Sequence, residues 1–180
     1  MGAVEPRPRL PEHDATGPDA ERKQRGYGTP PSVARRTGGA RMIADASVIL
    51  AAFFPDENQP QAQMLLREHA MGRVRVAAPA LLFYELTNAV TLAVRRRRIG
   101  ETDAQAILES VEGLGIELLP MDWRRTLAMA LQFGCTAYDA AYLAAADALG
   151  EPLLTNDRRL ISTVQGQLDW VRYLGDVRTP

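Results

Sequence analysis

From residue 42 onward, short apolar runs and helical periods alternate without a break, and few architectures accept such a pattern. "RMIAD", "VRVAAP", "IELLP", "EPLLTND" and "WVRYLGD" read as strands. Between them lie helical stretches: "SVILAAFF", with Ser47 as its N-cap and Pro55 at its end, and "NQPQAQMLLREHAMGR". "ALLFYELTNAVTLAVRRRR" follows as a long helix, with Pro79 at its entrance and Gly100 stopping it. "ETDAQAILESVEGLG" opens on a Thr102 to Gln105 capping box, and "WRRTLAMALQFG" and "TAYDAAYLAAADALG" complete the helices. Strands separated by helices predict an α/β fold with a central parallel sheet flanked by helices.

Residues 1–41 differ in kind. They hold 6 of the 12 prolines and 6 of the 14 glycines, show no strand or helix period, and carry 8 Arg or Lys against 5 Asp or Glu. The expectation is a disordered Pro/Gly/Arg-rich tail: a solvated extension, an RNA-binding arm, or residues added ahead of a natural start at Met42. "GYG" at 26–28 has no strand before it and no helix after it, so it is no phosphate loop. Residues 42–180 carry 13 basic against 17 acidic residues, which argues against broad wrapping of duplex DNA. Cys135 is the only cysteine, which excludes an internal disulfide and a cysteine-based zinc site. No apolar run approaches the roughly 18 residues of a membrane helix, and the N-terminus has no secretory pattern, so a cytoplasmic protein is expected.

Four carboxylates stand in places that need a reason. Asp45 and Asp157 end the strands "MIAD" and "LLTND", where helix-covered parallel sheets place their ligand crevice. Glu85 shares a helix stripe with Leu82, Ala89 and Leu92, so it faces the core, with Asn88 one turn on as a possible partner. Asp139 has capping-box spacing from Thr136 and opens a helix built almost wholly of Ala, Leu and Tyr. Each alone has a structural explanation: a hydrogen-bonded buried Glu, a helix cap, a turn residue. One concave site would gather all four, and carboxylates about 5 Å apart repel by roughly 3 kcal/mol per pair at an effective dielectric of 20. Such a cluster must be protonated, paired with bases or metallated. Oxygen ligands select Mg²⁺ or Mn²⁺ over zinc, and His13 and His69 offer no ligand set.

Other aspartate-rich α/β enzymes fail on what is missing. Haloacid-dehalogenase-type phosphatases need a second Asp where this chain has Ser47, and they and response-regulator receivers need a lysine, whereas the one lysine is Lys23 in the tail. No G-x-x-x-x-G-K is present, and His69 is the body's one candidate partner for a nucleophile. Carboxylate-based, metal-assisted hydrolysis survives.

With "MIADASVIL", "FYELTNAV", "AYDAAYLAAA" and "LLTND" in this order, residues 42–180 resemble the PIN-domain ribonucleases, and among them the VapC-type toxins of toxin–antitoxin pairs. The resemblance implies a PIN-like three-layer sandwich in which Asp45, Glu85, Asp139 and Asp157 are catalytic and hold one or two Mg²⁺. Ser47 and Thr155 would supply orienting hydroxyls. It also implies an endoribonuclease that hydrolyses RNA through a metal-activated water, a cognate antitoxin and a homodimer. A non-toxin PIN nuclease and a non-cleaving RNA- or protein-binding module remain alternatives, though the latter would be expected to lack part of the acidic set. Arg95, Arg96, Arg97 and Arg98 either bind RNA phosphates or serve the helix C-terminus, whose dipole favours basic residues.

Overall fold

The computed structural model describes residues 39–57 and 59–177. The expectations for the tail, including "GYG" and His13, fall outside them apart from positions 39–41. The chain builds β1 (Ala40–Ala44), α1 (Ala46–Phe53), α2 (Pro60–Ala70), β2 (Val74–Pro79), α3 (Leu82–Arg95) and α4 (Glu101–Gly113). It continues with β3 (Glu117–Leu119), α5 (Trp123–Phe133), α6 (Ala137–Leu149), β4 (Leu153–Thr155), α7 (Arg158–Val164), β5 (Val171–Tyr173) and a 3-10 turn, Leu174–Asp176. The five strands form one sheet, all parallel, in the order β3-β2-β1-β4-β5. This is the expected α/β sandwich with helices covering the sheet.

The core follows from the runs that read as strands. Ile43, Ala44, Val76, Ala77, Ala78, Leu153 and Leu154 are buried, as strands covered on both faces must be. Leu82 and Leu86 of α3, Ala140, Leu143 and Ala146 of α6, and Val48 and Ile49 of α1 close over them. The alanines of α6 let that helix lie close to the sheet.

Several helix boundaries differ from the sequence reading, each for a local reason. Asp45, not Ser47, caps α1: its backbone is extended and its side chain accepts from Ser47 N. Pro79 is the last residue of β2, and α3 starts at Leu82. α3 stops at Arg95, because the chain turns left-handed at Arg97 (φ 57°) and the N–H groups of Arg97 and Arg98 return to the carbonyls of Val94 and Ala93. Gly100 therefore caps α4 instead of ending α3, its N–H donating to Asp103. Thr102 already lies inside that helix, so its spacing to Gln105 is not a cap. α7 lies in a stretch to which the sequence reading assigns no element, and Asp157, explained there as a turn residue, is its N-cap. His69 is structural: Nδ1 accepts from Val76 N at 3.2 Å and Nε2 lies 3.1 Å from the Leu114 carbonyl, which it reaches as a donor.

Candidate active site

The chain leaves β1 toward β2 and β3 on one side of the sheet and later returns to β4 and β5 on the other. Between β1 and β4 the winding reverses, and the crevice beyond the carboxyl ends of these two strands is where such sheets bind ligands. Asp45 follows β1 and is buried, with its N–H on the Leu154 carbonyl at 3.1 Å. Its Oδ1 accepts from the Ser47 N–H at 2.6 Å and from the Ser47 hydroxyl, and its Oδ2 accepts from the Thr155 hydroxyl. Both hydroxyl oxygens are themselves held by β4's exit: Ser47 Oγ accepts from Asn156 N at 2.8 Å, and Thr155 Oγ1 from Asp157 N at 3.0 Å. Asp45 is thus fixed in place by both strands at the switch point. Burial pushes its carboxyl above the ordinary range, and the bonds from Ser47 and Thr155 draw it back.

Glu85, in the first turn of α3, is half-buried and faces a cleft rather than the core: of its stripe Leu82 is buried, Ala89 half-buried and Leu92 exposed. Its partner is not Asn88, which is exposed, but Tyr142 of α6, whose hydroxyl donates to Oε2 at 2.5 Å. Burial raises the Glu85 carboxyl, the Tyr142 bond lowers it, and the negative charges of Asp45 and Asp139 raise it again. The Tyr142 phenol is pushed up by its own burial and by the Glu85 charge, so it stays a donor. Asp139 sits in the capping box that the sequence predicts: Thr136 Oγ1 accepts from Asp139 N at 3.1 Å, and Asp139 Oδ2 from Thr136 N at 3.3 Å. Its other oxygen, Oδ1, has no partner in that box.

The four acids therefore divide. Asp45 and Asp139 both act electrostatically on Glu85, whereas Asp157 is held by α7. Its Oδ1 caps α7 through Arg159 N and Leu160 N, and Arg159 lies 3.7 Å from Oδ2. Glu85, Ser47 and Asn88 line a cleft of about 450 Å³ with Tyr84 and Tyr138, which are 81% and 65% exposed. The sequence reading missed these two tyrosines and Tyr142, since aromatic residues in an α3 or α6 period look like core, and Asn156, which reads as an ordinary turn residue after β4. The arginines lie elsewhere: Arg95 is ten residues beyond Glu85 on α3, about 15 Å along the axis. Arg98 is bound bidentately to Asp56, also reaches Glu57, and stacks on Phe54, while Arg95, Arg96 and Arg97 are exposed and have no ion pair among the described residues.

Among the described residues, no group of three or more His, Cys, Asp and Glu side chains is drawn together as a ready-made metal cage. Among the described residues, no ion pair reaches Asp45, Glu85 or Asp139, so no described cation compensates their charge. Asn156 Oδ1, on the same β4 exit, is buried without a hydrogen-bond partner among the described residues. Hard oxygen donors with spare negative charge and open spacing fit a divalent cation of the Mg²⁺ type, which keeps several of its waters.

A family model described as "PIN domain" matches residues 42–165. Ribonuclease VapC3 of Pyrobaculum aerophilum is 32% identical over 125 residues, 67% of this chain and 92% of that protein. The crystal structure of PAE2754 from the same organism superposes with a TM-score of 0.59 at 23% identity, covering 77% of this chain and 88% of that one. A toxin–antitoxin complex from Klebsiella pneumoniae contains a chain alike in fold, with a TM-score of 0.50 at 15% identity, covering 74% of this chain and 97% of that one. On sequence and on fold, this chain belongs to the PIN-domain family, among its VapC-type members.

Proposed function

We propose that the protein is a Mg²⁺- or Mn²⁺-dependent endoribonuclease and the toxin of a toxin–antitoxin pair, acting in the cytoplasm. The observation that carries this reading is the gathering of carboxylates at the switch-point crevice, where Asp45 and Asp139 both raise Glu85 and no described cation pairs with any of the three. The name ribonuclease on a relative matched over nearly all its length supports RNA as substrate. Asp45, Glu85 and Asp139 would hold the ion, with Asp157 and the buried Asn156 carboxamide oxygen as further oxygen donors from the exit of β4. Such an ion acidifies a water and neutralises charge developing on a phosphate. The chain's own residues do the positioning. Ser47 and Thr155 fix the Asp45 carboxylate, Tyr142 fixes that of Glu85, and Tyr84 and Tyr138 offer faces on which unpaired bases stack at the cleft. Arg95, Arg96 and Arg97 would hold RNA phosphates farther along α3.

Purified protein with Mg²⁺ is expected to cut a circular single-stranded RNA, which only an endonuclease opens. Asp45→Ala should lower the rate about 100-fold or more, and Thr155→Val, which removes one support of Asp45, roughly ten- to a hundredfold. Full activity in purified Asp45→Ala would sink the assignment.

The antitoxin partner is supported by the structural likeness to a toxin–antitoxin complex. Its inhibitory segment would insert an Arg or Lys against Asp45, Glu85 and Asp139, so raised Mg²⁺ should weaken inhibition; inhibition indifferent to Mg²⁺ would refute this insertion. The homodimer has a candidate surface on α5, where Trp123, Leu127 and Leu131 recur every fourth residue and are exposed by 56%, 53% and 76%. Leu127→Glu should shift a dimer to monomer in sedimentation, and an unchanged mass would place the interface elsewhere.

A further inference from the structure

A second recess opens on the β5 side of the sheet, between the start of α2, α7 and the end of β5. It has a volume of about 560 Å³ and is polar, lined by Gln59 and Gln61 at the start of α2, Arg158 and Gln165 at the two ends of α7, and Tyr173 of β5. Its link to the candidate active site is covalent and through the sheet. Arg158 directly follows Asp157, and Tyr173 pairs in register with Thr155, whose hydroxyl holds Asp45, so one strand spacing of about 4.8 Å separates the two backbones.

The lining is chemically selective. The Arg158 guanidinium lies 4.6 Å over the Tyr173 ring, leaving its outer plane exposed as a stacking surface. The ring is seated by Gly175: a Cβ there would come within 2.5 Å of Tyr173 Cε1, so the close approach excludes any larger residue unless the ring moves. The carboxamides of Gln59, Gln61 and Gln165 make no hydrogen bond among the described residues, and each offers a donor and an acceptor. Asp176 also lines the recess and disfavours a phosphate deep inside. A stacking plane, several carboxamides and a carboxylate suit a nucleobase better than a phosphate, and the volume suits one nucleotide.

We infer that this recess is a base-binding subsite for a nucleotide of single-stranded RNA flanking the cleaved bond, with Arg158 stacking on the base and Gln165 among the residues that read its edge. The inference rests on the ribonuclease reading of the neighbouring carboxylates, and it adds the element that would give that reaction a base preference.

The test uses the full chain without metal, in chelator, with fluorescent six-nucleotide oligo(A), oligo(C) and oligo(U) followed by anisotropy, and then cleavage kinetics with Mg²⁺. Arg158→Ala should weaken binding of the preferred oligonucleotide about five- to fiftyfold. Arg158→Lys, which keeps the charge but loses the plane, should behave like Arg158→Ala. Gln165→Ala should flatten the difference among the three oligonucleotides, and in cleavage all three variants should raise KM while leaving kcat within about twofold. If Arg158→Lys binds like the wild type, the guanidinium acts as charge alone and the subsite is refuted. It is also refuted if the wild type binds none of the oligonucleotides, or if it cuts RNA while the variants keep its Kd, KM and base preference. If instead the wild type binds with these dependences yet cuts no RNA with Mg²⁺ or Mn²⁺, the subsite stands and the nuclease reading falls.

Discussion

At Tyr142, one hydrogen bond bears on the charge of the candidate site. Its hydroxyl is the described group that lowers the Glu85 carboxyl against burial and two negative neighbours. Tyr142→Phe should therefore raise that carboxyl further and move the acid limb of the cleavage rate toward higher pH by roughly one unit. An unmoved limb would mean that Glu85 does not limit the reaction. The same two raised carboxyls, Asp45 and Glu85, set a direction for stability. Their folded pKa values lie above the unfolded ones, so without metal their contribution is fully present below the ordinary carboxylate range and is lost as pH rises through the raised values. Glu85→Gln should thus melt a few degrees above the wild type at pH 7.5 in chelator and lose that advantage near pH 4. A lower melting temperature for Glu85→Gln at pH 7.5 would show that burial and the neighbouring charges do not disfavour the ionised Glu85. The sequence revealed Asp45, Glu85 and Asp139 as acids in unusual places because a charge in an apolar period is visible. Tyr142 was invisible for the opposite reason: a tyrosine among Ala and Leu fits the period, and only the α3–α6 geometry turns its hydroxyl into a Glu85 donor.

The end of α3 shows what local pattern can and cannot predict. "RRRR" reads as the basic end of a helix, which it is, but nothing in four identical residues says which one adopts the left-handed turn. Tertiary pairing decides it, since Arg98 is pinned by Asp56, Glu57 and the Phe54 ring while Arg97 takes φ 57°. A non-glycine residue there costs about 1 kcal/mol, so Arg97→Gly should stabilise the fold by roughly 0.5–1 kcal/mol in urea titration. A loss of stability would mean that the Arg97 side chain makes a contribution larger than the strain. If Arg97 binds RNA, the same substitution should also lower RNA affinity and reduce its salt dependence. α7 was hidden differently. Seven residues with Ile161, Thr163 and Val164 among them carry too little helical period, and its cap, Asp157, matches a turn residue equally well.

For the whole molecule, the alternation of strand and helix made the parallel sheet legible, but period alone says nothing about strand order, and it is the order that puts β1 beside β4. The folded body also begins earlier than its apolar pattern: Ala40 and Arg41 pair with Val74 and Arg75, Arg41 lies 3.1 Å from Glu117, and a Cβ on Gly39 would meet the Arg73 carbonyl at 1.6 Å. A chain starting at Gly39 should match the full chain in melting temperature, while one starting at Met42 should melt a few degrees lower; equal melting would show these pairings to be idle. The hydrogen bond between Thr155 and Asp45 joins residues 110 positions apart. A ribosome releasing this chain exposes Asp45 early, yet the hydroxyl that orients it comes only with β4, after most of the body has been made. On the proposed assignment of the site, incomplete chains thus carry the acids without their support, so the order of synthesis itself would keep a partly made molecule from acting on the RNA around it.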